Sequence, residues 1–114
     1  MTPREASFEA IADQLLGEPG VEEGTGFGSS PGLRVEGRIF AMLVRDEFVA
    51  KLPAHRCAAL VSAGTARAFD RGQGRPLKEW VVISDHAENH WPAIAREALA
   101  FIRPRPSGTT GPRP

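Results

Sequence analysis

The chain has 114 residues, room for one hydrophobic core and not two, because an independent domain rarely closes below about 50 residues and more often takes about 100. Its 41% hydrophobic and 25% charged side chains are ordinary for a globular domain, and no apolar run approaches the ~20 residues that a membrane-spanning helix requires. Fourteen basic and fourteen acidic groups cancel, which removes the usual electrostatic argument for wrapping DNA, RNA or an anionic membrane.

Met1 to Phe8 lacks the basic region, apolar stretch and small-residue cleavage site of a secretory signal, so a cytoplasmic location is expected. The lone Cys57 agrees, since an intramolecular disulfide needs two cysteines. Thr2-Pro3-Arg4-Glu5 has the form of a capping box, and Phe8, Ile11, Ala12, Leu15 and Leu16 follow with the spacing of one helical face. Gly17 and Pro19 stop that helix. Val21 to Gly32 then reads as a short strand running into a glycine-rich loop.

From Leu33 the pattern is β. Glu36-Gly37 and Arg45-Asp46 each fit a two-residue hairpin turn. The register that follows pairs Ile39 with Leu52, Ala41 with Ala50 and Leu43 with Phe48 on one apolar face turned toward the helices. The opposite face then carries Leu33, Val35, Phe40, Met42, Val44 and Val49, interrupted only by Arg38, Glu47 and Lys51. Ile39 to Val44 does not alternate at all, so both sheet faces need cover. Three helices would supply it, and so would a second copy of the chain, which makes a homodimer an expected assembly.

Pro53 to Ala63 predicts a second helix with Cys57, Leu60 and Val61 inward and Gly64 as its stop. Ala66 to Phe69 and Leu77 to Ile83 predict a further strand pair joined by the exposed segment Asp70 to Pro76. Trp91, Ile94, Ala95, Ala98, Leu99 and Ile102 form the longest helical stripe, with Asn89 as N-cap and Pro92 in the first turn. The expected class is therefore α+β, an antiparallel sheet of about five strands with three helices in the order α-β-β-β-β-α-β-β-α. Residues 1–102 are expected to form a single domain and 103–114 a disordered tail of Pro, Arg, Gly, Ser and Thr. Arg103, Arg105 and Arg113 lie in that tail, which leaves Met1 to Ile102 with 11 basic against 14 acidic groups, a net of about −3 and a poor duplex-binding surface.

Four constellations invite a chemical reading. The glycines from Gly24 to Gly32 fit neither a dinucleotide-binding nor a Walker-type spacing, and a strand rather than a helix follows, so a plain loop is expected. His86 and His90 stand four apart beside Asp85 and Glu88, but Glu88 is misplaced for a zinc-protease motif and no third ligand is evident. His55 and Cys57, two apart on a helix, do not face each other, and Cys57 belongs to the apolar stripe. No Gly-x-Ser-x-Gly signature occurs. The expectation is no catalytic residue, no metal and no cofactor.

The fourth is Gly74-Arg75-Pro76-Leu77-Lys78-Glu79-Trp80. Arg75 offers a planar guanidinium for carboxylate or phosphate, Lys78 a second cation, Glu79 an ion-pair partner and Trp80 an aromatic surface. Arg38 and Lys51, near-diagonal neighbours flanking Phe40, extend the cationic patch. The structural alternative is that Pro76 stiffens the strand entry, Trp80 is core and Arg75 pairs with Asp70 or Glu79.

This string, together with Phe27-Gly28-Ser29-Ser30, Gly37-Arg38-Ile39-Phe40-Ala41-Met42 and Lys51-Leu52, resembles the N-terminal domain of the TfoX/Sxy competence regulators and, more distantly, the MmcQ/YjbR group. The resemblance runs from about Phe27 to Ile102. It implies an α+β sandwich of a five-stranded antiparallel sheet and helices, of the secretion-chaperone-like type. Its regulators carry a second, helical domain that 114 residues cannot hold. The resulting expectation is a small non-catalytic binding or interaction domain that engages a protein or a small anionic ligand through Arg75, Lys78 and Trp80. The alternatives are a nucleic-acid-binding transcriptional regulator, for which the acidic body gives no support, and a metal-dependent enzyme using His86 and His90.

Overall fold

A computed structural model describes residues 2–25, 30–70 and 77–103, without the side chains of Asp85 and His86. Helix α1 (Pro3–Leu15) opens on the capping box: Thr2 Oγ1 accepts from the Glu5 amide at 3.0 Å, and the Thr2 amide donates to Glu5 Oε1 at 2.6 Å. Six strands follow as β1 (Val21–Thr25), β2 (Pro31–Val35), β3 (Arg38–Val44), β4 (Glu47–Lys51), β5 (Ala66–Phe69) and β6 (Leu77–Ile83). Helix α2 (Ala54–Ser62) lies between β4 and β5, and a 3₁₀ turn (Asp85–His90) leads into α3 (Trp91–Ile102). The element order matches the sequence expectation, with six strands where about five were expected.

The sheet is antiparallel throughout, in the order β1-β2-β3-β4-β6-β5. Both tight turns have positive φ at their two central residues, Glu36 (52°) with Gly37 (79°) and Arg45 (48°) with Asp46 (69°). That conformation carries the twist a two-residue hairpin needs. The second turn sets Ala41 opposite Ala50 and Leu43 opposite Phe48, as expected.

The first hairpin departs from the expected register. Leu33 pairs with Ala41 but Arg34 pairs with Ile39, so Phe40 is an extra, bulged residue on β3. A bulge reverses the alternation beyond it. Phe40, Leu33 and Val35 therefore join the helix-side core rather than the opposite face, and Ile39 turns instead toward the smaller cluster. The main core joins these residues to Phe8, Ile11 and Leu15 of α1, Cys57 and Leu60 of α2, and Trp91, Ile94, Ala98 and Leu99 of α3. Trp91 stacks on Phe48 at 4.9 Å between ring centroids.

On the other face Met42, Val49, Phe69, Trp80 and Val82 form a second cluster, with Ile39, Val44 and Leu77 packed against it. Met42 and Val49 are fully buried within one chain. The apolar second face thus gives no argument for a second copy.

Three local expectations are corrected. Val61 is 41% exposed, because α2 turns only Cys57 and Leu60 fully inward. Leu16 is the exposed C-cap of α1, one position past the last residue of its buried stripe. Asn89 lies inside the 3₁₀ turn, and His90, without a side-chain hydrogen bond, is the N-cap of α3. Gly64 does end α2: its φ of 78° lets the Thr65 amide reach Leu60 O at 3.0 Å and the Gly64 amide reach Val61 O at 3.1 Å, a Schellman closure. Among the described residues, no helix is long and apolar enough to cross a membrane.

Candidate functional site

Register assembles the site. Lys51, the last residue of β4, pairs with Trp80 of β6, and the Leu52 amide donates to Glu79 O at 3.0 Å. This brings the end of β4 against the middle of the Lys78-Glu79-Trp80 string. Lys51 Nζ stands 5.5 Å from the Trp80 ring centroid and 3.9 Å from Glu79 Oε1. The ammonium thus has both a ring and a carboxylate within interaction range.

Arg38, the first residue of β3, completes one wall. It is exposed, and its side chain makes no ion pair or hydrogen bond among the described residues. Ile39 and, from the last turn of α3, Phe101 and Ile102 line the rest of a cleft of about 660 Å³. Phe101 is 37% exposed, whereas Trp80, which also lines the cleft, is only 8% exposed. The cleft therefore joins an unpaired guanidinium, a half-neutralised ammonium and a hydrocarbon surface. Such a combination holds an anionic group by charge-assisted hydrogen bonds while its apolar body leaves water.

Of the residues singled out from sequence, Arg38, Lys51, Glu79 and Trp80 meet here. Lys78 is exposed and lines a neighbouring groove of about 480 Å³ between α2 and β6 that also includes Trp80. Arg75 lies outside the described residues, as do Gly74 and Pro76. Arg38 and Lys51 do not flank Phe40 on a common face, because the bulge sends Phe40 into the main core. Ile39, Phe101 and Ile102 were not singled out. Phe101 had a signal, an aromatic residue set off the apolar stripe of its helix.

The other constellations are placed as follows. Cys57 is 4% exposed, its Sγ donates to Leu52 O at 3.5 Å, and burial pushes its thiol pKa up, away from the nucleophilic thiolate. Positions 86 and 90 fall on 3₁₀ backbone, where three residues make a turn and an i, i+4 pair no longer shares a face. Among the described residues, no group of three His, Cys, Asp or Glu side chains is placed to hold a metal ion. The glycine-rich segment has residues 26–29 outside the described set, and a strand follows it. A third groove, of about 340 Å³, lies between α1 and the β1-β2 end of the sheet, with Glu5, Glu9 and Glu23 about a floor that includes Phe8 and Leu43.

The fold and cleft define an α+β single-sheet domain with a cationic, partly apolar surface site. Comparisons with protein-family models, curated proteins and solved structures find no match.

Proposed function

We propose that this protein is a small non-catalytic binding domain, similar in kind to the TfoX N-terminal domain, that engages an anionic group through the cleft ringed by Arg38, Lys51, Trp80 and Phe101. One observation carries the reading: Arg38 lines the cleft without an ion pair among the described residues, while most other described cations are paired within the fold. Arg56 binds Glu97 through two nitrogens at 2.9 and 3.0 Å, Arg67 binds Glu47 at 2.7 Å, and Arg103 reaches Glu18 at 3.2 Å. A guanidinium left open beside exposed aromatic surface is a recognition element more than a structural one.

The test is an amide-shift titration of the full chain with a panel of anions: short carboxylates, inorganic phosphate, an acidic peptide and a single-stranded DNA oligonucleotide. At least one should shift Arg38, Lys51, Trp80 and Phe101 saturably and be recovered chemically unchanged, and Arg38→Ala should abolish the response. If every anion leaves those four signals still, the cleft is not a binding site. Arg38 is exposed and unpaired among the described residues, so its loss leaves the fold intact and the outcome interpretable.

A further inference from the structure

We infer that the cleft takes a small organic monoanion, a carboxylate on an aliphatic or aromatic body, in preference to a phosphate; the inference rests on the cleft being a binding site at all. Charge inside the cleft supplies the first argument. Arg38 is a free cation there, whereas Lys51 is already engaged by Glu79 at 3.9 Å and by the Trp80 ring. The cleft therefore offers about one uncompensated positive charge, which matches one carboxylate.

Helix polarity supplies the second. Phe101 and Ile102 belong to the last turn of α3, and Arg103 is its C-cap, so the helix end bordering the cleft is the one that carries unpaired carbonyls and partial negative charge. Phosphate sites use the opposite end, where amides point at the ligand. A dianion here would face Glu79 and a helix C-terminus with one free cation among the described residues to offset both.

The third argument is the lining. Four of the cleft's residues, Ile39, Trp80, Phe101 and Ile102, are apolar, and a volume of about 660 Å³ suits a small molecule with a hydrocarbon portion. Arg38 lines the same cleft as this apolar surface. A carboxylate bound there in bidentate fashion directs its body onto Phe101 and Ile39.

Amide-shift titrations of the full chain with acetate, hexanoate and inorganic phosphate at one ionic strength test the assignment. Hexanoate should bind at least about tenfold more tightly than acetate through partial burial of its methylenes, and phosphate should leave Arg38 and Phe101 unmoved. Arg38→Ala should weaken hexanoate about tenfold or more, and Arg38→Lys should weaken it less, since it keeps the charge but loses the fork. Phe101→Ala should bring hexanoate down toward acetate with acetate unchanged. Phosphate binding as tightly as hexanoate, or an acidic peptide shifting the cleft when hexanoate does not, overturns the monoanion assignment while the cleft stands as a binding site. Silence from every anion removes both.

Discussion

Trp91 and Cys57 show how single side chains set the limits of this core. Trp91 is wholly buried and stacked on Phe48, yet its indole N–H has no hydrogen-bond partner among the described residues. An unpaired buried donor costs about 1–3 kcal/mol, so part of what the ring contributes is cancelled. Trp91→Ala should cost about 3–5 kcal/mol in urea unfolding, as large aromatic truncations do. Trp91→Phe keeps a ring on Phe48 and removes the orphan donor, and should cost less than half as much. Equal losses for the two variants would show that the N–H is satisfied in solution.

For Cys57, burial raises the folded-state pKa of an acid, which means that folding favours the neutral thiol. Its contribution is whole below the unfolded value of about 8.5 and is lost as pH rises through the folded value. Stability should therefore fall as pH rises above about 8.5, and Cys57→Ser, which cannot ionise there, should flatten that slope. An unchanged slope in Cys57→Ser would assign the alkaline loss to another group.

At the scale of elements, what could be read in the sequence was what local chemistry specifies. Thr2 with Glu5, Gly64, and the turns at Glu36-Gly37 and Arg45-Asp46 announce their structures because each must satisfy backbone groups or a positive φ on the spot. Phe40 carries no such mark. A bulge is chosen by packing across the whole β2-β3 pair, and it moved Leu33, Val35 and Ile39 to faces that strict alternation denies them. The same limit applies to the cleft. Arg38, Lys51, Glu79 and Trp80 were legible as chemistry, but Phe101 and Ile102 join them only through the docking of α3 on β3 and β4.

The first turn gives a direct test. Glu36 sits at φ 52°, where Asn is more at ease, so Glu36→Asn should stabilise by about 0.5–1 kcal/mol. Gly37 has φ 79° and open space around it, so Gly37→Ala should cost about 1–2 kcal/mol from backbone strain alone. Thermal melts that move the same way for both would mean that this turn does not keep its two positive φ angles.

For the molecule as a whole, the question is how a six-stranded sheet with all its described helices on one side keeps an apolar second face dry. The helices α1, α2 and α3 contribute to the main core, and none of their residues belongs to the cluster of Met42, Val49, Phe69, Trp80 and Val82. Phe69 from the edge strand β5 and Trp80 from β6 cluster with the smaller Met42, Val49 and Val82, and Lys51 stands over the Trp80 ring. Met42 and Val49 are then buried within a single chain, and burial of that kind does not depend on concentration. Hydrogen exchange at the Met42 and Val49 amides should accordingly be as slow in dilute as in concentrated protein. Protection that grows with concentration would mean that a second copy completes this face, and it would move the Trp80 wall of the anion cleft into an interface.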